Sequence, residues 1–307
     1  MTESIVVLVP VLVLAVVTLF AFAGCSSFGT APSTTTPGTG TGTGTGTQPG
    51  PQTPPVTTPA PEPYRDAVLL DKSLRAYWRL GDAAGAPAAD SVPQKKHPGS
   101  YLPGASSATP GVLKLGKGPD EGCGVFDGTQ GYVAVPFHED YNPPLSFSVE
   151  AWIRPQLSAQ GRYVVVGCYQ KNPDQGFALG VRQNAAGEQT ATAWVADGTA
   201  SFEAETELGV ATQHDGWRQL VMTYDRLNQV LTLYVRDGIQ LFTDTKSGAG
   251  YASMKDANAR ELRIGAGRNA SDAVRELFPG RIDEVAIYDR VLDAGTIGSH
   301  FTLAVTP

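Results

Sequence analysis

Cysteine is scarce in this 307-residue chain. Cys25, Cys123 and Cys168 are too few for a disulfide-stapled scaffold or a four-cysteine zinc module. A basic surplus is lacking too. With 23 Lys and Arg against 30 Asp and Glu, the formal net charge is −7. The cations are scattered, so the composition argues against nucleic acid as a partner. His97, His138, His214 and His300 are far apart in the chain. None forms a His-x-His or His-x-x-x-His pair, so no transition-metal site is expected. No Gly-x-Ser-x-Gly elbow, phosphate-binding loop or internal repeat occurs.

What is present divides the chain in three: an address over 1–25, a connector over 26–63 and one domain over 64–307. Residues 5–24 carry no charge and are dominated by Val, Leu and Ala, long enough for one helical span of about 20 residues. The run ends Phe22-Ala23-Gly24-Cys25-Ser26, which resembles the lipobox of bacterial lipoproteins. That resemblance implies cleavage before Cys25 and a lipid on its sulfur. The alternative is an uncleaved membrane-anchoring helix, because Phe22 replaces the usual Leu and the first four residues include Glu3 without Lys or Arg. Both readings place the domain outside the cytoplasm, in the cell envelope and facing the periplasm or exterior. Residues 26–63 are chiefly Thr, Pro, Gly and Ser. They have too little apolar surface to offset ordering entropy, which predicts a disordered tether. As a flexible coil it would span roughly 30–40 Å.

From Tyr64 onward the segments are short, rich in Val, Thr, Tyr and Ala, and punctuated by Gly, Asp and Asn. Phe147, Val149, Ala151 and Ile153 alternate with Ser146, Ser148, Glu150 and Trp152, the period of a strand. Leu231, Leu233 and Val235 alternate likewise, ahead of a reversal at Asp237-Gly238. About a dozen such segments predict an all-β, two-sheet antiparallel sandwich. One short helix is expected, from about Asp293 to Phe301, with Asp293 as its N-cap.

Six motifs carry a resemblance. They are Ala76-Tyr77-Trp78-Arg79-Leu80-Gly81-Asp82, Val125-Phe126-Asp127-Gly128, the 145–153 strand, Trp217 through Asp225, Leu233 through Gly238, and Gly280 through Leu292. In this order they resemble the laminin-G-like, concanavalin A-like jelly-roll domains. The resemblance implies a jelly roll over roughly 230 residues, on a fold that hosts lectins, adhesion modules and hydrolases alike.

Four sets of residues could carry chemistry. The resemblance implies calcium at the sandwich rim, with Asp283 as first ligand and Asp127 and Asp82 beside it. The alternation places Asp283 on the face of Val285 and Ile287, leaning towards the core. Trp194 shares a polar row with Thr190 and Thr192, opposite Ala191, Ala193 and Val195. An indole on the wet side of a strand would suit a sugar ring. Glu203, Glu205 and Glu207 align on one strand face. They resemble the Glu-x-Asp-x-Glu strand of laminarinase-type glycoside hydrolases but lack its central Asp, and retaining hydrolysis needs two carboxylates about 5 Å apart. Cys123 and Cys168 either form one disulfide or remain two buried thiols. Trp78 and Trp217 are expected in the core, and Trp152 beneath a covering loop. The reading favoured by address, tether and fold is a surface-displayed, non-catalytic module binding an extracellular carbohydrate or matrix component. The alternatives are a glycoside hydrolase and an adhesion protein that binds another protein.

Overall fold

Leu231, Leu233 and Val235 are buried, while the residues between them are half-exposed. The period-2 pattern therefore does form a strand. The same rule builds most of the domain. The structure, a computed structural model, describes residues 62–94, 97–115, 122–210, 213–238, 240–255 and 259–306. In chain order the elements are helix α1 (Pro63–Leu70) and strands β1 (Leu74–Trp78), β2 (Ser100–Tyr101), β3 (Ala105–Ala108), β4 (Cys123–Asp127), β5 (Val133–Val135), β6 (Phe147–Pro155) and β7 (Gly161–Gln170). Next come β8 (Gln175–Gln183), β9 (Gln189–Asp197), β10 (Ser201–Glu207), β11 (Arg218–Asp225), β12 (Val230–Arg236) and β13 (Leu241–Ser247). The chain closes with β14 (Leu262–Ile264), β15 (Gly267–Arg268), β16 (Val274–Arg275), β17 (Pro279–Tyr288) and helix α2 (Ala294–Val305).

Two antiparallel sheets make the sandwich. One runs β13-β12-β11-β6-β17-β4-β3, with β1 also pairing β17; the other runs β10-β9-β8-β7-β14-β5-β2. Phe147, Val149, Ala151 and Ile153 of the first sheet meet Phe177, Leu179 and Val181 of the second in one buried core. Burying each large side chain contributes about 1.5–3 kcal/mol. The Asp237-Gly238 reversal joins β12 to β13 with Arg236 opposite Leu241. Gly238 takes φ +112, and Asp237 Oδ1 accepts from Gln240 N at 3.0 Å.

The outer face of the β6 sheet departs from expectation. Ser148, Glu150 and Trp152 are fully buried, because two helices lie over Glu150 and Trp152 and the Arg290–Leu292 segment lies against Ser148. Phe301 of α2 stacks on Trp152 at 5.4 Å, and Tyr64 of α1 meets it edge-on at 6.5 Å. A helical layer, not a loop, covers Trp152. Helix α2 begins where expected, with Asp293 Oδ1 accepting from Thr296 N at 2.8 Å, and runs on to Val305. Helix α1 escaped the sequence reading despite Pro63 in its first turn and Tyr64 and Val68 four residues apart on its buried face. Trp78 and Trp217 are buried as expected.

Cys168 is a free thiol in the core between the sheets, whereas Cys123 belongs to the helix-covered cluster. The two do not form a disulfide, because they lie in different apolar layers. The apolar segment 5–24, Cys25 and the tether as far as residue 61 lie outside the described residues. Among the described residues no helix is long and apolar enough to cross a membrane.

Candidate functional site

Strand β9 lies between β8 and β10, and its register sorts its side chains cleanly. Ala191, Ala193 and Val195 enter the central core, while Trp194 and Ala196 join Tyr169 in a separate small cluster. Trp194 therefore faces outward, as the alternation implied. It is nonetheless only 7% exposed. Tyr169 of β7 meets the indole edge-on at 5.4 Å, and Lys171 Nζ sits 4.3 Å above its ring. The open indole platform expected from sequence is thus a covered floor.

That floor lines a small open pocket of about 150 Å³ on the outer face of the sheet, with Arg162, Tyr169, Lys171, Thr192 and Glu276 around it. Thr192 lines this pocket. Thr190 does not: its hydroxyl donates to Glu205 Oε1 at 2.5 Å, away from the pocket lining. Arg162, Tyr169 and Lys171 were missed. They come from β7 and the turn after it, and only the β7–β8–β9 register brings them to Trp194.

The three glutamates share this face, with Glu203 paired to Trp194, Glu205 to Thr192 and Glu207 to Thr190. Glu203 is held by Arg162 at 2.7 Å and by Arg182 at 3.0 Å. Arg182 also binds Glu205 closely. Glu207 ends the strand, exposed. Two guanidiniums thus engage Glu203 and Glu205.

The carboxylates expected to hold calcium are not drawn together among the described residues. Asp127 accepts from Thr129 N, Gln130 N and Gly131 N at 2.8–3.0 Å, and from Thr129 Oγ1 at 2.7 Å. Against a small cost of burial, these donors hold its carboxyl below the usual carboxylate range. Asp82 accepts from Ala89 N at 3.0 Å and Tyr101 OH at 2.8 Å.

Asp283 is buried, but on the opposite face from Val285 and Ile287. It pairs with Trp152, whose side chain lies in the helix-covered layer, and the register then shifts before Ala286 meets Glu150. Glu284 sits at this bulge with φ 52. The extra residue inverts the alternation that sequence alone extends through it. Val112 N and Glu284 N donate to Asp283 at 2.8 and 2.9 Å. Burial, and then the neighbouring Glu284 carboxylate, push its carboxyl well above the usual range. A Cβ at Gly111 would come within 2.7 Å of Asp283 Oδ2, so only glycine lets the chain pass this close.

Two further constellations were invisible in the sequence. Glu150, on the row read as polar, is a fully buried carboxylate beside His300. And His97 and His138, separated in the chain, lie with ring centroids 4.1 Å apart and planes tilted by 37°, and both approach Asp140.

Comparison with known proteins follows the fold. A search of curated protein sequences finds no significant match. Among solved structures the chain is similar to domain 4 of AbnA, a GH43 extracellular arabinanase from Geobacillus stearothermophilus in complex with arabinotriose. The identity is 18% and the TM-score 0.50, covering 76% of this chain and 98% of that one. It is also similar to the Ruminococcus gnavus IT-sialidase CBM40 bound to α2,3-sialyllactose, at 15% identity and TM-score 0.41, over 54% of this chain and 84% of that one. The binding domain of botulinum neurotoxin DC follows at 14% identity and TM-score 0.48, over 76% and 52%. The laminin-G family model described as the concanavalin A-like lectin/glucanases superfamily matches residues 127–298, more than half of the chain. With its two antiparallel sheets in place, the chain belongs to the concanavalin A-like lectin/glucanases superfamily.

Proposed function

We propose that this protein is a non-catalytic, surface-displayed module that binds an extracellular carbohydrate in the outer-face pocket over Trp194. The observation that carries the reading is the Tyr169–Trp194 pair, an aromatic cluster outside both main cores that floors a pocket with a polar rim. Sugar recognition needs that combination: an apolar face for the ring's C–H groups and fixed polar groups for its hydroxyls. Thr192, Arg162, Lys171 and Glu276 supply the second part. Arg162 is paired with Glu203 and Lys171 with Asp174, so the rim's cations are neutralised and a neutral glycan suits it best. The arabinanase domain that shares the fold was solved with arabinotriose. The engagement of Glu203 and Glu205 by arginines favours binding over hydrolysis. In this reading Cys25 carries a lipid and residues 26–61 hold the domain clear of the membrane, while Glu62 and Pro63, expected in the tether, already belong to the start of α1.

A glycan array probed with the full chain tests the proposal. Trp194→Ala should weaken any bound glycan by about thirty-fold, the equivalent of truncating one central contact worth about 2 kcal/mol. Thermal unfolding of the mutant serves as the folding control. No glycan binding by the wild type, or unchanged binding by a folded mutant, would overturn it.

A further inference from the structure

Strand pairing assembles a second site at the other end of the same sheet. Ser100 of β2 pairs with Ala134 of β5, and Tyr101 with Val133. Continuing that antiparallel register three residues beyond Ser100 carries position 97 opposite position 137. His97 and His138 therefore emerge side by side from two different loops. A short 3₁₀ turn over Glu139–Tyr141 then folds Asp140 back towards them.

One ligand atom from each of His97, His138 and Asp140 lies within 4.8 Å of the other two. Asp140 Oδ2 is 3.0 Å from His97 Nε2 and 3.3 Å from His138 Nδ1. Zinc bonds of 2.0–2.1 Å in a tetrahedron set neighbouring donors about 3.3 Å apart, so the spacing suits one ion. Backbone bonding fixes the His138 ring: its Nδ1 accepts from Asp140 N at 3.1 Å, and an ion held at that nitrogen takes the place of this hydrogen bond.

The surroundings hold the ligands in place. Trp78 Nε1 donates to His97 O at 2.9 Å, and Asp90 Oδ2 accepts from His97 N at 3.3 Å. The buried Tyr141 ring meets His97 edge-on at 5.5 Å. The side chains of His97 and Asp140 are 14% and 19% exposed, and that of His138 is 44% exposed. The site is thus shielded on one side and open on the other.

We propose that His97, His138 and Asp140 form a binding site for a divalent transition-metal ion, Zn²⁺ foremost. Two imidazoles and a carboxylate are a borderline-soft donor set that zinc, nickel and copper accept and calcium does not favour. Three protein ligands leave a fourth position to water or an external ligand. The bound ion ties the loop before β2 to the loop after β5, at a place separate from the pocket over Trp194.

The test is titration of the full chain with ZnCl₂ alone, monitored by competition with a colorimetric chelator and by thermal unfolding. The expected result is one high-affinity ion per chain. At one hundred times the dissociation constant, zinc should raise the melting temperature by roughly 5–11 °C. Co²⁺ in place of zinc should show the intense visible absorption of a tetrahedral site. His138→Gln, the most exposed ligand, and His97→Gln should each weaken binding at least about tenfold and abolish the cobalt spectrum. Near-ultraviolet circular dichroism checks that each variant is folded, and His138→Gln decides the matter if His97→Gln is not. Failure of the wild type to bind zinc, or binding that survives in folded His138→Gln, would overturn the site.

Discussion

Glu150 offers the sharpest test of the energetics. It is buried with His300 Nδ1 at 2.9 Å, Gln219 Nε2 at 2.7 Å, and the hydroxyls of Tyr64 and Tyr288 at 3.2 and 3.3 Å. Burial alone would raise its pKa. The His300 charge and the hydrogen bonds from His300, Gln219 and Tyr64 outweigh that and hold it below the usual glutamate range. Burial would likewise lower the pKa of His300, but Glu150 holds it above the usual histidine range. The lowered Glu150 contributes stability that is complete above its unfolded pKa of about 4.3 and lost as pH falls through the depressed folded value. The raised His300 contributes stability that is complete below about 6.5 and lost as pH rises through its elevated folded value. The pair therefore acts fully between about pH 4.3 and 6.5.

Glu150→Gln keeps the volume and removes the charge. Breaking a buried pair from one side costs about 3–5 kcal/mol. For a domain of this size that is a fall in melting temperature of roughly 6–20 °C. Calorimetry from pH 5 to 9 should show the full deficit near pH 6 and a smaller one at the alkaline end, where His300 is neutral in both proteins. The two tyrosine hydroxyls and Gln219 still need partners there, so the deficit should not vanish. Equal melting temperatures at pH 6, or a deficit that grows with pH, would refute the argument.

Three other expectations follow from single residues. Metabolic palmitate labelling in a bacterial host should mark the wild type and leave Cys25→Ser unlabelled; equal labelling of both would favour a membrane-spanning anchor. Cys168, whose thiol burial pushes up to about 12, should resist alkylation in the folded protein at pH 8 and react once denaturant is added, and rapid native labelling would contradict its place in the core. Millimolar calcium should leave the melting temperature unchanged where protein donors alone satisfy Asp82, Asp127 and Asp283, and a clear rise would establish the rim calcium that the family resemblance implies.

The sequence by itself determined the class of fold and the facing of its regular strands. Where strand period 2 runs unbroken, as at 231–236 or 190–195, each residue's side of the sheet can be read from its neighbours. Asp293 marked the start of α2 for the same local reason, since a cap needs only a residue three positions on. Tertiary structure decided everything that depended on what lies across a sheet or over it. The bulge at Glu284 turned Asp283 to the opposite face, and no local pattern announces one inserted residue. Helices α1 and α2 converted Glu150 and Trp152 from a polar row into a buried layer, because burial depends on what packs on a face and not on the strand alone. Tyr169 and Lys171 covered Trp194 from β7, the next strand but one, and the turn after it. The pairing of two very short strands, β2 and β5, brought His97 beside His138, a proximity set by register over a distance in sequence that spacing motifs do not span.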